Sequence, residues 1–383
     1  SAPSSRRTRT RMGQKPSSSK SHAPVSSRPL RFGRDNNDLG SATVGTFFLP
    51  SVHKPTLLAV HTLAIDSYNA NTGDRRARHI LSSPAVCATF AGRTVLGPIA
   101  VVGTAGGDTS IYDASSITLV RSFVPADAAN HKSVVAASAQ MAAASGASGG
   151  GASASAGSSF PFAVTALERV GREVIAVGRN DGKVILAELA SGKKLRELRP
   201  PETTDLDAEG RARARSHSSG SGARVTALAS LAPHALLAAA HADGTVQVYE
   251  SGSGAWERDL HHPAPVSVLM WARPLGVLLA FLAGSNTVHV WTVGASGEVA
   301  DAPLILDFTA ELHAVQCASA TRITSAIFDA PRRILFTGAD DGRFFVRQIQ
   351  SAAAGLNVRL LRFSKAAAQE GAAAAAAAGA GGM

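Results

Sequence analysis

Aromatic residues are scarce in this chain. Three tryptophans and three tyrosines stand among 383 residues, and with phenylalanine included the aromatic share is 5%. There are two cysteines, Cys87 and Cys317, too far apart for a metal-ligand spacing and too few for a disulfide framework. They read as buried free thiols in a reducing compartment. No uncharged apolar run approaches the ~18–20 residues of a membrane-spanning helix, and the N-terminus carries no secretory apolar core. The expected location is intracellular, in the cytoplasm or on the cytoskeleton, with nucleus, nucleolus or mitochondrion as alternatives.

Catalytic signatures are missing as well. Gly146-Ala147-Ser148-Gly149-Gly150 matches G-x-S-x-G, but it sits in a Gly/Ser run where no strand-turn-helix can form. Gly192-Lys193-Lys194 lacks both the upstream glycine and the Ser/Thr of a phosphate loop. Gly103 to Gly107 reads as a hairpin turn. His61, His241 and His289 fall on or beside strands, where a hydrogen-bonded structural role is the default. His261-His262 is adjacent, which does not make a metal site. No catalytic residue, cofactor site, metal site or small-molecule substrate is indicated.

Apolar residues make up 45% of the chain and charged residues 17%, a globular balance. The net charge is +10, and it is unevenly placed. Residues 1–34 hold Arg6, Arg7, Arg9, Arg11, Lys15, Lys20, Arg28, Arg31 and Arg34, and no acid. The remainder is near +1, so the basicity belongs to the arm and not to the folded body.

The stretch from Ala223 to Leu260 organises the rest. Val225 to Leu228 alternates like a strand, and Ala235 to Ala240 is an apolar run of strand length. His241-Ala242-Asp243-Gly244 turns the chain into the β-branched strand Thr245 to Tyr249. Ala255 to Leu260 supplies a fourth strand. Such a sheet leaves apolar surface on both faces and becomes stable by stacking on copies of itself. The copies are marked by Thr62, Gly106, Asp181, Asp243, Ser285 and Asp341, each six residues before a position held in four cases by Tyr or Trp. The steps are 44, 75, 62, 42 and 56 residues, two of them near the ~40–45 of a propeller blade. The pattern predicts an all-β fold, a single propeller of four-stranded blades over residues 42–363. Six blades are visible, and a seventh would lie near 300–320, be absent, or come from a partner.

Residues 1–41 form a basic Ser/Arg-rich tail with little to bury, expected to be disordered when free. Residues 364–383 form an Ala/Gly-rich tail. The insertions 125–160 and 199–222 are low in complexity or self-neutralising in charge, and both are expected to project from the ring.

At these residues the chain resembles the WD-repeat β-propellers. Asp181, Asp243 and Asp341 match that family's blade-turn aspartate. Tyr112-Asp113 looks like a variant of its Trp-Asp pair, with Tyr249-Glu250 and Trp291-Thr292 as looser ones. The family's Gly-His dipeptide is not recognisable, so its Asp-His-Ser/Thr-Trp network is expected to be incomplete. A propeller without an evident site, with two long insertions and a basic arm, suits a non-catalytic scaffold joining other proteins of a large complex, and the lack of long apolar runs indicates no membrane partner. The nine basic residues of the arm are the candidate contacts to an anionic partner, either RNA or an acidic protein surface. The rival reading is an RNP- or ribosome-associated propeller whose arm contacts RNA.

Overall fold

The computed structural model describes residues 43–49, 55–123, 160–199, 204–206, 212–214, 223–314, 321–352 and 355–363. The arm, the tail from 364 and residues 125–159 of the first insertion lie outside these residues.

Short β-branched strands joined by tight turns pair with their sequence neighbours, and six sheets of four antiparallel strands result. Blade one is β1 (Thr43–Leu49), β2 (Thr56–His61), β3 (Ala64–Asn69) and β4 (Arg75–Ile80). Blade two is β5 (Ala85–Thr94), β6 (Gly97–Thr104), β7 (Thr109–Asp113) and β8 (Leu119–Phe123). Blade three is β9 (Val164–Val170), β10 (Val174–Arg179), β11 (Val184–Glu188) and β12 (Lys194–Leu198). A hairpin of β13 (Thr204–Leu206) and β14 (Ala212–Ala214) follows, its register setting Asp205 opposite Arg213. Blade four is β15 (Val225–Leu231), β16 (Leu236–His241), β17 (Thr245–Glu250) and β18 (Trp256–His261). Blade five is β19 (Val266–Ala272), β20 (Val277–Leu282), β21 (Thr287–Thr292) and β22 (Leu304–Asp307), and the helix α1 (Thr309–Ala314) comes after it. Blade six is β23 (Ile323–Asp329), β24 (Ile334–Ala339), β25 (Phe344–Ala352) and β26 (Gly355–Phe363).

The sheets form the ring of a propeller. First strands of successive blades, from one to six, lie against each other, which puts them at the centre and the fourth strands at the rim. Two irregularities recur. The first strand carries a register shift near its start in all six blades. The fourth strand carries another, an extra residue facing the step into the position six residues after the marker, in blades one, two, three, four and six. Bulges of this kind strengthen the local twist, which propeller blades need.

The second strands explain the core. Side chains alternate between the two faces, and in a propeller both faces are covered. In β16, Leu237 and Ala239 pack on blade three, while Leu236, Ala238 and Ala240 pack on blade five. All six residues of β16 and of β20 are buried. Burying one such leucine contributes about 1.5–3 kcal/mol. Space is tight at these contacts. A Cβ at Gly103 would stand 2.4 Å from Val164 Cγ1 of the next blade, and one at Gly178 would stand 2.5 Å from Val225 Cγ1.

The described part of the segment 300–320, residues 300–314, does not supply a seventh blade. Leu304–Asp307 pairs with β21 as the fourth strand of blade five, and Thr309–Ala314 is helical. The helix forms because Leu312 finds an apolar seat against Ala339 and Phe345 of blade six, and Thr309 N–H donates to Asp307 Oδ1 at 2.8 Å. Six four-stranded blades are present among the described residues.

Candidate functional site

The sequence-selected aspartates sit in the turns between second and third strands. Asp243 Oδ1 accepts from Thr245 N–H at 2.9 Å, Asp341 Oδ1 from Arg343 N–H at 3.0 Å, and Asp181 Oδ1 from Lys183 N–H at 3.3 Å. In blade five Ser285 Oγ accepts from Thr287 N–H at 3.0 Å in the same way. These short side chains hold the turn by bonding the backbone two residues on. Asp181 also takes a bidentate pair from Arg179, whose guanidinium is fully buried and stacks on Phe162 at 4.5 Å.

The position six residues after each marker is where the blades differ. It holds Tyr68, Tyr112, Ala187, Tyr249, Trp291 and Arg347 in order, each opposite the second residue of the second strand or its equivalent. Burial pushes the pKa of the Tyr249 hydroxyl up, and it donates to Gln247 Oε1 at 2.6 Å. Arg347 is fully buried, stacks on Phe308 at 4.3 Å and on Phe345 at 4.9 Å, and donates to Glu311 of α1 at 2.8 Å. A paired, stacked guanidinium thus takes the place of the aromatic ring.

His241 and His61 hold the hydrogen-bonded structural places expected of them. His241 is buried with Nδ1 3.1 Å from Ala223 O, and His61 Nε2 lies 3.5 Å from Asp66. His289 is buried too, and His262, whose pairing with His261 makes no metal site, is the residue that bridges blades. Its Nε2 accepts from Trp291 Nε1 at 3.1 Å and its Nδ1 lies 3.0 Å from Gly244 O. Gly244 permits this closeness: its φ is +89° and a Cβ would stand 2.6 Å from His262 O. Trp291, His262 and the Gly244 carbonyl thus form one hydrogen-bonded chain between blades four and five. Desolvation, with the nearby His289 and His261, drives the His262 pKa down to about 4.

Two further groups lie in the blade interfaces, Glu168, which carries no sequence signal, and Cys87, read above as a buried thiol. Glu168 lies between blades three and four, where burial raises its pKa to about 7 against the pull of the Ser230 N–H bond. Cys87 packs its sulfur against Gly103 and Val164, and burial pushes the thiol up to about 12. Such a thiol is not nucleophilic at neutral pH. Cys317 and the residues Arg6 to Arg34 of the arm lie outside the described residues. No group of three or more His, Cys, Asp or Glu able to hold a metal occurs among the described residues.

A groove of about 850 Å³ opens at the outer side of blades four and five. Glu250, Glu257, Glu298 and Asp301 line it with one cation, Arg258, which is tied to Asp301 at 3.2 Å and to Val299 O. The acids come from β17, β18 and the β21–β22 connection, distant enough in sequence that no run of acids announces them.

No family model matches the chain, and no curated protein matches it. Among solved structures, a chain in the crystal structure of a mitotic checkpoint complex is similar in fold, with a TM-score of 0.51 and 16% identity. The match covers 87% of this chain and 87% of that one. In all, 1589 chains of solved structures match, so the likeness concerns a widely used architecture and carries no function with it.

Proposed function

We propose that the protein is a non-catalytic scaffold that joins other proteins in a larger intracellular assembly, with the basic arm as its anchor on an anionic partner. The observation that carries this reading is the partition of charge. Nine cations fall in residues 1–34 with no acid, on a body near +1. Ordering such an arm costs ~1–2 kcal/mol per residue in backbone entropy, which its own composition cannot return. Contacts to an anionic surface can return it, and the propeller then adds shape-specific contacts to a salt-sensitive tether.

The test compares the full chain with a variant lacking residues 1–34 on immobilised polyglutamate and on immobilised single-stranded RNA, at low and high salt. Retention of the full chain on polyglutamate at low salt, lost in the variant, is the expected result. Stronger retention on RNA with a steep salt slope supports the RNA-contacting propeller instead. Equal retention of both proteins on both matrices overturns the anchor.

A further inference from the structure

The groove beside blades four and five is a channel with two walls. One wall belongs to blade four, where His234, Leu236, Val248, Glu250, Glu257 and Arg258 line it. The other is the connection between β21 and β22 of blade five, from Gly294 to Asp301. Hydrogen bonds and packing fix both walls before anything binds. Val293 and Val299 pair across the connection, and Gly294 N–H donates to Glu298 O at 2.7 Å. A Cβ on Gly297 would lie 3.6 Å from His234 Cβ and from Leu236 Cδ1, so the connection rests on the first hairpin of blade four. Arg258 reaches across from β18 to Val299 O and to Asp301 at 3.2 Å. Leu236, Val248 and Val299 are buried and give the channel an apolar floor.

Carboxylates stand on both walls, Glu250 and Glu257 on one, Glu298 and Asp301 on the other. Arg258 offsets one of them, and the lining stays net negative. Glu250 accepts from the Ser253 hydroxyl, a neutral donor that leaves its charge in place. An extended segment lying between these walls would meet acids on either side and apolar surface beneath.

The chain itself carries the complementary ligand. Residues 1–34 hold nine cations and no acid. Arg7-Thr8-Arg9-Thr10-Arg11 alternates, so an extended arm presents three guanidinium groups on one side, each able to take a carboxylate in a two-pronged grip. Length decides which part of the arm can arrive. Thr43 pairs with His61, which places the root of the arm at the end of β1 away from the β1–β2 turn. His234, in the turn between β15 and β16, marks the groove on the opposite side of the ring, about half-way round from blade one. A compact body over residues 42–363 has a radius of gyration of about 20 Å, so that path over its surface is about 80 Å. Extended chain spans at most about 50 Å from Thr43 back to Arg28, but about 95 Å to Lys15 and about 105 Å to Arg11. The distal cations reach the groove and the proximal ones fall short.

We propose that residues Arg6 to Lys15 of the arm fold back into the groove between blades four and five, and that an anionic partner draws them out. This rests on the anchor reading and adds its regulation: the anchor is held on its own body until a polyanion competes for the distal cations. Tethering keeps the segment at an effective concentration on the order of ~1 mM, so charge pairs that are weak singly suffice together. RNA phosphates are repelled by the same carboxylates. The arm of a second copy offers the same chemistry, and molecular mass separates it from the tethered one.

The test treats the full chain with a water-soluble carbodiimide, which joins a lysine amine to a carboxylate in contact with it, and maps the linked peptides of the monomer band by mass spectrometry. The expected product joins Lys15 to Glu250, Glu257, Glu298 or Asp301 at low salt, and disappears at high salt or with polyglutamate added. Arg7→Gln combined with Arg9→Gln should abolish it, while Arg28→Gln combined with Arg31→Gln should leave it. Affinity for polyglutamate is the second readout. Glu257→Gln combined with Glu298→Gln, both at exposed positions, should tighten binding of the full chain about fivefold and leave the variant lacking residues 1–34 unchanged. Lys15 linked to acids elsewhere on the body, or not linked at all, overturns the inference. So does an unchanged affinity in the doubly substituted full chain. A link confined to the dimer band assigns the groove to the arm of a second copy and overturns it as well. The anchor reading fails by a different result, equal retention of the full chain and the arm-lacking variant. Absence of the link leaves that retention experiment as it stands.

Discussion

Trp291 Nε1 donates to His262 Nε2 across 3.1 Å, and this bond ties the protonation of a histidine to the packing of blade four against blade five. His262 Nε2 must be unprotonated to accept, and its Nδ1–H then donates to Gly244 O at 3.0 Å. Protonation of Nε2 would break the bond in a buried site.

The pH dependence follows. Burial holds the His262 pKa near 4, while an unfolded histidine titrates near ~6.5. Between these values the unfolded chain carries the extra proton, so this group's stabilisation is complete above about pH 6.5 and is lost as pH falls towards 4. The whole span corresponds to at most about 3 kcal/mol. His262→Asn should therefore cost most at pH 7, with its penalty shrinking as pH falls. Urea unfolding of both proteins between pH 4.5 and 7.5 measures this; a penalty independent of pH refutes it.

Glu168 gives the opposite sign. Its folded pKa is raised to about 7, above the usual carboxylate range, so the native state holds a proton that the unfolded chain releases. Its site favours folding at low pH and loses that contribution as pH rises from about 4.5 through 7. Glu168→Gln keeps an oxygen for the Ser230 N–H and carries no charge. It should match the wild type near pH 4.5 and exceed it at pH 8 by up to about 3 kcal/mol. Because the two groups oppose each other between pH 4.5 and 6.5, their contributions to the wild-type curve partly cancel there. The single variants separate them, and a Gln variant less stable at pH 8 refutes the assignment.

Arg347→Ala removes a fully buried guanidinium from Glu311, Phe308 and Phe345. A cavity and an orphaned carboxylate result, at an expected cost of about 3 kcal/mol. Calorimetric melting of Arg347→Ala beside Glu311→Gln checks it. A loss under about 1 kcal/mol would show that the pair is not part of the blade-six core.

These sites differ in how far the sequence reveals them. The six blades are legible because their turns are local: Asp243 and Gly244 act within four residues of each other. The second-strand runs are legible because both faces are buried, which leaves a continuous apolar signal such as Leu236 to Ala240. His262 is not legible, since Trp291 lies 29 residues away in the next blade and only the ring stacking brings them together. Glu168 reads as an outward position in a half-polar strand, and a neighbouring blade buries it. Arg347 falls where a tyrosine or tryptophan is expected, and its shelter depends on α1, a helix of six residues with too few positions to show a period. The hairpin β13–β14 lacks the apolar alternation that marks strands, so composition alone gave no sign of it.

The last prediction concerns the inequality of the blades. Gly178 and Gly338 hold the same register position, opposite the first residue of their third strands. At Gly178 a new methyl group would run into Val225 Cγ1 and Cβ, at 2.5 and 3.0 Å, in the sealed interface of blades three and four. The valine belongs to a central strand and cannot retreat without moving blade four, so Gly178→Ala should cost about 1–3 kcal/mol. At Gly338 the nearest described atom is Ser325 Oγ at 2.5 Å, a hydroxyl that a rotamer change swings aside. Neither glycine has the positive φ that would strain an alanine. Gly338→Ala should therefore shift the unfolding midpoint far less than Gly178→Ala. Urea titrations of the two variants decide the matter. Equal losses would mean that blade six is packed on both faces like blade three, and the difference between the two interfaces would have to be abandoned.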